Sequence, residues 1–237
     1  LIIKEENVMT FVQRAFILAL TLILLSLGSV CSQAQDNLFP DPSFEKNGTP
    51  GNARTGEKAG YLSVGSQSAW APMGEIRIKV EPFATYQVKG YSKGSCETGA
   101  LSALYVYSWN SYDWSFVSFA NVTSSNEWQY LETEFFSPDN QIYFHPLTFQ
   151  NASKGNGWID DISIVKVKSP AETIRAIESK SALSEWDTQI LGRYYFLKGN
   201  KEKVKYILSI RTITTKSDLA CFMAKQTKNK KARISYI

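Results

Sequence analysis

The chain has 237 residues, 43% of them apolar, 13% aromatic and 20% charged, with 14 Gly and 8 Pro. This composition excludes a disordered, collagen-like or coiled-coil protein, and a net charge of +4 gives no reason to expect a nucleic-acid partner. The charge is unevenly spread: residues 169–237 hold 14 of the 26 Lys and Arg but 6 of the 22 Asp and Glu, making the tail +8 while residues 35–168 carry −4. A change of this size near Ser169-Pro170 divides the chain into two units. Three cysteines make no disulfide framework, and no Cys/His spacing fits zinc.

Residues 15–25 read AFILALTLILL, an uncharged apolar run preceded by Arg14. A membrane span needs about 20 apolar residues, so the run is read as the core of a secretory signal peptide occupying residues 1–34, with the start at Met9 and cleavage after Ala34. The mature protein is then expected to be secreted, extracellular or periplasmic, with no stable membrane insertion. Lipidation at Cys31 and an uncleaved anchor remain alternatives at this point.

Residues 36–168 show short alternating segments between Gly, Pro, Asn and Ser clusters, the pattern of an antiparallel sandwich. In residues 75–81, Ile76, Ile78 and Val80 share one face and Arg77 and Lys79 the other. Strands are further expected at 85–91, at 101–109 with Leu104 and Val106 opposite Tyr105, Tyr107 and Trp109, and at 128–136 with Leu131 and Phe135 opposite Tyr130, Glu132 and Glu134. Segments 141–145 and 157–167 complete the set. Asp160 alternates with Ile162 and Ile164, so its carboxylate points inward and needs a cation, hydrogen bonds or a proton.

The string Asn37-Leu38-Phe39-Pro40-Asp41-Pro42-Ser43-Phe44-Glu45 resembles the opening strand of the cenC-type carbohydrate-binding modules, families four, nine and twenty-two. Gly157-Trp158-Ile159-Asp160-Asp161-Ile162-Ser163-Ile164 is similar to their closing strand, and residues 80–91 resemble their central segment, with Phe83-Ala84 in place of a Pro-Gly turn. The resemblance implies an all-β fold, a jelly-roll (galactose-binding-like) β-sandwich over residues 36–168, followed by a short C-terminal α-helical extension. It also implies a structural calcium joining the first and last strands, with Glu45, Asp160 and Asp161 as ligands among the 6–8 oxygens such an ion takes. The function it implies is non-catalytic binding of a polysaccharide or other glycan.

Sugar rings stack on aromatic planes while their hydroxyls require polar partners, and the residues opposite each strand's aliphatic set supply both. They are Arg77 and Lys79; Gln87, Lys89 and Tyr91; Tyr105, Tyr107 and Trp109; Tyr130, Glu132 and Glu134; and Tyr143 and His145. The expected ligand contacts are Trp109, Tyr107, Tyr105, Gln87, Glu132 and Arg77, with Trp70, Tyr112 and Trp114 as walls in loops. The competing reading buries this stripe between sheets, or turns it toward another protein.

Catalysis has little support. Glu132 and Glu134 lie only ~7 Å apart along one strand face, His145 stands next to Pro146 without a nucleophile motif, and no hydrolase or phosphate-binding signature occurs. Cys96 and Cys221 fall in different units. Asn121-Val122-Thr123 and Asn151-Ala152-Ser153 fit the N-glycosylation pattern. Ser169-Pro170-Ala171-Glu172 reads as a helix cap, first-turn proline and acidic first turn. Further helices are expected over 183–197 and 201–210, and residues 225–237 form a basic end with no acid. Modules of the resembling type usually accompany a catalytic domain, so a missing catalytic partner is a further expectation.

Overall fold

A computed structural model describes residues 36–108, 117–209, 219–224, 226 and 227. Among the described residues strands precede helices: β1 (Thr49–Pro50), β2 (Lys58–Val64), β3 (Ser68–Pro72), β4 (Ile76–Lys79), β5 (Thr85–Tyr107), β6 (Val117–Asn121), β7 (Ser125–Phe136), β8 (Gln141–Lys168), α1 (Pro170–Glu178), α2 (Glu185–Leu197) and α3 (Lys201–Ser209). All strand pairings are antiparallel. The expected signal peptide, Cys31, Trp109, Tyr112, Trp114 and most of the basic end lie outside the described residues.

The segments expected at 85–91 and 101–109 are one strand, β5, and those at 141–145 and 157–167 are also one, β8. The two run side by side from Thr85↔Lys168 to Tyr107↔Tyr143. This long ribbon folds over its own inner face to give two sheets. In sheet I the first half of β5 lies between β7 and the second half of β8, and β2 extends the other edge. In sheet II the second half of β5 lies between β6 and the first half of β8, which also pairs with β3 and β4.

The fold-over depends on glycine where the backbone is crowded. Gly99 has φ +77, and a Cβ there would stand 2.3 Å from the Gln150 carbonyl oxygen, which no side chain can relieve. Gly90 on the inner face of sheet I would place a Cβ 3.1 Å from Leu104 of sheet II, a measure of how closely the layers approach. Between them lie Val88, Leu101, Leu104, Val106, Ile142, Phe144, Leu147, Phe149, Ile159, Ile162 and Ile164, all buried.

The opening motif is not a strand. Residues 37–48 run through turns along β8, and the Asn37 side chain does what a ladder partner would do: its Nδ2 donates to the Ile162 carbonyl (2.8 Å) and its Oδ1 accepts from Ile164 N (2.9 Å). Phe39 then enters the core with its ring 5.4 Å from Phe144 and 5.7 Å from Phe44.

The first helix begins as the sequence indicates, and the second begins at Glu185 where 183 was expected. Ser169 and Glu172 form a reciprocal capping box ahead of Pro170, and Ser184 and Asp187 form a second one ahead of α2. Reciprocal caps satisfy two otherwise orphaned N–H groups each. The extension packs on the sandwich through Thr85 and Thr173, whose hydroxyls are 2.9 Å apart, and through Phe83 against Tyr194 at 5.4 Å. Among the described residues no helix is long and apolar enough to cross a membrane.

Candidate functional site

On sheet II the residues alternating with the core set point outward, and four strands bring rings together there. Tyr105 from β5 stacks on Phe119 from β6 (5.6 Å, 15°) and meets Trp70 from β3 edge-on (4.9 Å, 68°). Tyr107 stacks between Tyr143 (5.2 Å) and His145 (5.6 Å). A bulge between Ala103 and Val106, with Leu104 at φ 55, lets both Ala103 and Leu104 enter the core and Tyr105 turn out, the re-aiming that bulges permit.

Trp70 and Phe119 are 41% and 43% exposed and form the open rim, whereas Tyr107 is 7% exposed and forms the floor. Burial and the Glu75 carboxylate together push the Tyr107 hydroxyl up to about 12, and burial raises Tyr105 as well. Glu75 accepts from the Tyr107 hydroxyl and from Arg77 Nε, both at 3.1 Å, and the Arg77 guanidinium lies 5.4 Å from the Tyr143 ring centroid. The His145 Nδ1–H donates to the Gly74 carbonyl. Because a carbonyl only accepts, that contact fixes the proton on Nδ1 and ties the β3–β4 turn to the ring cluster.

Three of the six expected contact residues, Tyr105, Tyr107 and Arg77, therefore meet, joined by Tyr143 and His145. Trp109 lies outside the described residues. Gln87 and Glu132 belong elsewhere: they face outward from sheet I, where Gln87 donates to Glu132 and Tyr130 donates to the same carboxylate at 2.6 Å. The Tyr130 bond pulls the Glu132 carboxyl down, and the same bond raises the Tyr130 hydroxyl to about 12. Glu134 pairs with Lys168 at 3.3 Å, so the two glutamates serve separate partners. Trp70, expected in a loop, stands in β3, and Phe119 and Glu75 were not singled out by the sequence. Alternation in the short β6 was the only signal available for Phe119.

Asp160 is inward and 0% exposed. Its Oδ2 accepts from Arg54 N (2.8 Å) and Thr55 N (3.1 Å) and its Oδ1 from Asp161 N (2.8 Å). Burial still raises its carboxyl above the ordinary value, against the pull of those three bonds. Asp161 accepts from Ser43 Oγ (3.1 Å) and Thr55 Oγ1 (2.5 Å) and pairs with Arg54 (2.5 Å), while Glu45 Oε1 accepts from Glu57 N (3.0 Å) and Lys58 N (3.3 Å). The loop leading into β2 is thus held between Glu45 and the two aspartates. A calcium shell consists of oxygens, whereas this loop turns N–H groups toward Asp160 and Glu45. As arranged, the donor set does not fit the ion expected from the resemblance, and among the described residues no group of three or more His, Cys, Asp or Glu forms a metal cluster.

No family model matches the chain, and no curated protein matches it. Solved structures with some likeness include TmCBM61 in complex with β-1,4-galactotriose (TM-score 0.40, 18% identity, 56% of this chain and 99% of that one). A family 16 carbohydrate-binding module (TM-score 0.41, 19% identity, 54% and 99%) and the CBM22-1 xylan-binding domain of Paenibacillus barcinonensis Xyn10C (TM-score 0.40, 17% identity, 59% and 99%) are similar to a comparable degree. Likeness at this level carries no functional argument, and the sandwich stands on its own strand pairing.

Proposed function

We propose that this chain is a non-catalytic module that binds a polysaccharide on the outer face of sheet II. The observation that carries the reading is the exposed rim of Trp70 and Phe119 flanking Tyr105 over a floor of Tyr107, Tyr143 and His145. Flat rings at the rim can stack on sugar C–H faces, and Arg77 and Glu75 at its edge can meet hydroxyls. These two charges neutralise each other at 3.1 Å, which favours a neutral chain over a charged one. Export directed by residues 15–25 would deliver the module to the polysaccharide, and a catalytic domain elsewhere would use it as a targeting device.

Affinity electrophoresis through gels containing xylan, β-glucan or hydroxyethyl cellulose tests the reading. Retardation in at least one gel that Trp70→Ala and Phe119→Ala each abolish is the expected result. Retardation unaffected by either variant, or none in any gel, would overturn it and turn the face toward a protein partner.

A further inference from the structure

The outer face of sheet I carries a second aromatic arrangement, independent of the first. Tyr61 of β2 is the register partner of Trp158 of β8, and Trp158 is the register partner of Lys93 of β5. The Lys93 ammonium in turn stands 4.8 Å over the Trp128 ring of β7. The four side chains form one row at right angles to the strands, spanning all four strands of the sheet, about 14 Å at the usual strand spacing. On β2, β5 and β8 the adjacent Gly60, Ser92 and Ile159 are buried, so Tyr61, Lys93 and Trp158 point outward.

Of the three rings Tyr61 is exposed and Trp128 and Trp158 are half-buried. Tyr61 is 38% exposed and lies 4.3 Å from Trp158. Along β5 and β8, next to the row, lies a shallow cavity of about 350 Å³ lined by Tyr61, Ser95, Cys96, Glu97, Lys154 and Asn156. Asn156 supplies an amide beside the ring, and Lys154 is neutralised by Glu97 at 3.5 Å.

Charge separates this face from the first. Within the ring cluster of sheet II, Arg77 is offset by Glu75. Among the described residues the contacts of the Lys93 ammonium are the Trp128 ring and Asn52 Oδ1 at 3.4 Å, both uncharged. A cation lying over the Trp128 indole, on a residue paired in register with Trp158 and without a counter-charge among the described residues, is complementary to a carboxylate presented beside aromatic rings. We infer that the row Trp128, Lys93, Trp158 and Tyr61 is a second binding site, for an acidic, uronate-containing sugar chain. The indoles and Tyr61 stack on its rings and Lys93 takes its carboxylate.

The experiment is affinity electrophoresis of the full chain in gels containing alginate. The wild type is expected to be retarded, with Lys93→Glu and Trp158→Ala each weakening the interaction about tenfold or more, as loss of one charge-assisted contact implies. Trp70→Ala and Lys205→Glu, the latter making the same charge change on α3, should leave it unchanged. No retardation of the wild type, equal losses from Lys93→Glu and Lys205→Glu, or loss of alginate binding with Trp70→Ala would each overturn the inference. If Trp158→Ala fails to fold by circular dichroism, Lys93→Glu, which removes no core group, decides the matter. Neutral-glycan binding through Trp70 is read in separate gels, so the two sites stand or fall separately.

Discussion

Replacing Asp160 with Ala would remove the group that closes the loop before β2 onto the last strand. Three N–H groups, from Arg54, Thr55 and Asp161, lose their acceptor, and hydrogen bonds to a charged group contribute about 1.5–3 kcal/mol each. Against that gross figure stands the cost of burying the carboxylate, several kcal/mol, evident here in the raised Asp160 value. The net loss should be about 2–4 kcal/mol, or roughly 5–15 °C in melting midpoint for a chain of this size. Asp160→Asn retains one acceptor oxygen for Arg54 and Thr55 but turns an amide N–H₂ toward Asp161 N, so it should lose about half as much. Urea unfolding followed by tryptophan fluorescence measures both variants. A loss below about 0.5 kcal/mol for each would refute the view that this carboxylate joins the loop to β8. A metal arm uses the same assay: with N–H donors filling the site, neither EDTA nor added calcium should move the wild-type midpoint. A calcium-dependent rise that Asp160→Asn abolishes would establish the cation and overturn the donor arrangement.

Three further outcomes are expected. Spectrophotometric titration should find two tyrosines that resist ionisation until about 12, one lost in Tyr107→Phe and the other in Tyr130→Phe. Because an unfolded tyrosine ionises near 10, the stability Tyr107 contributes is complete below pH 10 and falls as pH rises toward 12. Gly99→Ala should cost about 2 kcal/mol or more in urea unfolding, since it combines a left-handed backbone with a Cβ 2.3 Å from a carbonyl oxygen; a neutral effect would mean that the ribbon turns over differently. Ser169→Ala should cost about 1 kcal/mol by removing half of the capping box, with Ser169→Asp restoring most of it.

Much of the sandwich was legible because alternation reports which residues face a core. Ile76, Ile78 and Val80 separate from Arg77 and Lys79 as the period of two requires, and Asp160 is inward for the same reason. The first helix was legible through its Ser169 cap, a local signal that tertiary packing leaves intact. Alternation does not say which of two outward faces a residue occupies. Gln87, Lys89, Tyr105 and Tyr107 all alternate with core residues on one strand, and the inner side of β5 stays inner as the ribbon folds over. Read from sequence they form one face; folded, the first two lie on sheet I and the others on sheet II. Strand continuity was hidden for a related reason. Residues 92–100, with Gly94 and Gly99, fall between the strands expected at 85–91 and 101–109, yet all of them lie within β5. The Trp128, Lys93, Trp158 and Tyr61 row was invisible because its members come from four strands and meet only through register.

Two outward faces on opposite sides of one sandwich have a consequence that neither has alone. Packed sheets are about 10 Å apart, so one chain can hold two polysaccharide strands at once without a second copy. Mixing the protein with a neutral glycan that binds the Trp70 face and with alginate should give turbidity or a rise in viscosity that neither polymer gives separately with the protein. Trp70→Ala and Lys93→Glu should each abolish the effect while retaining binding to the other polymer. Association of the protein into dimers could also bridge polymers, but a dimer of Lys93→Glu chains would still bridge two neutral strands. The mixed pair of polymers is therefore the discriminating sample. Bridging of the mixture that survives either single variant would show that the two faces do not act as the separate sites inferred from their charge.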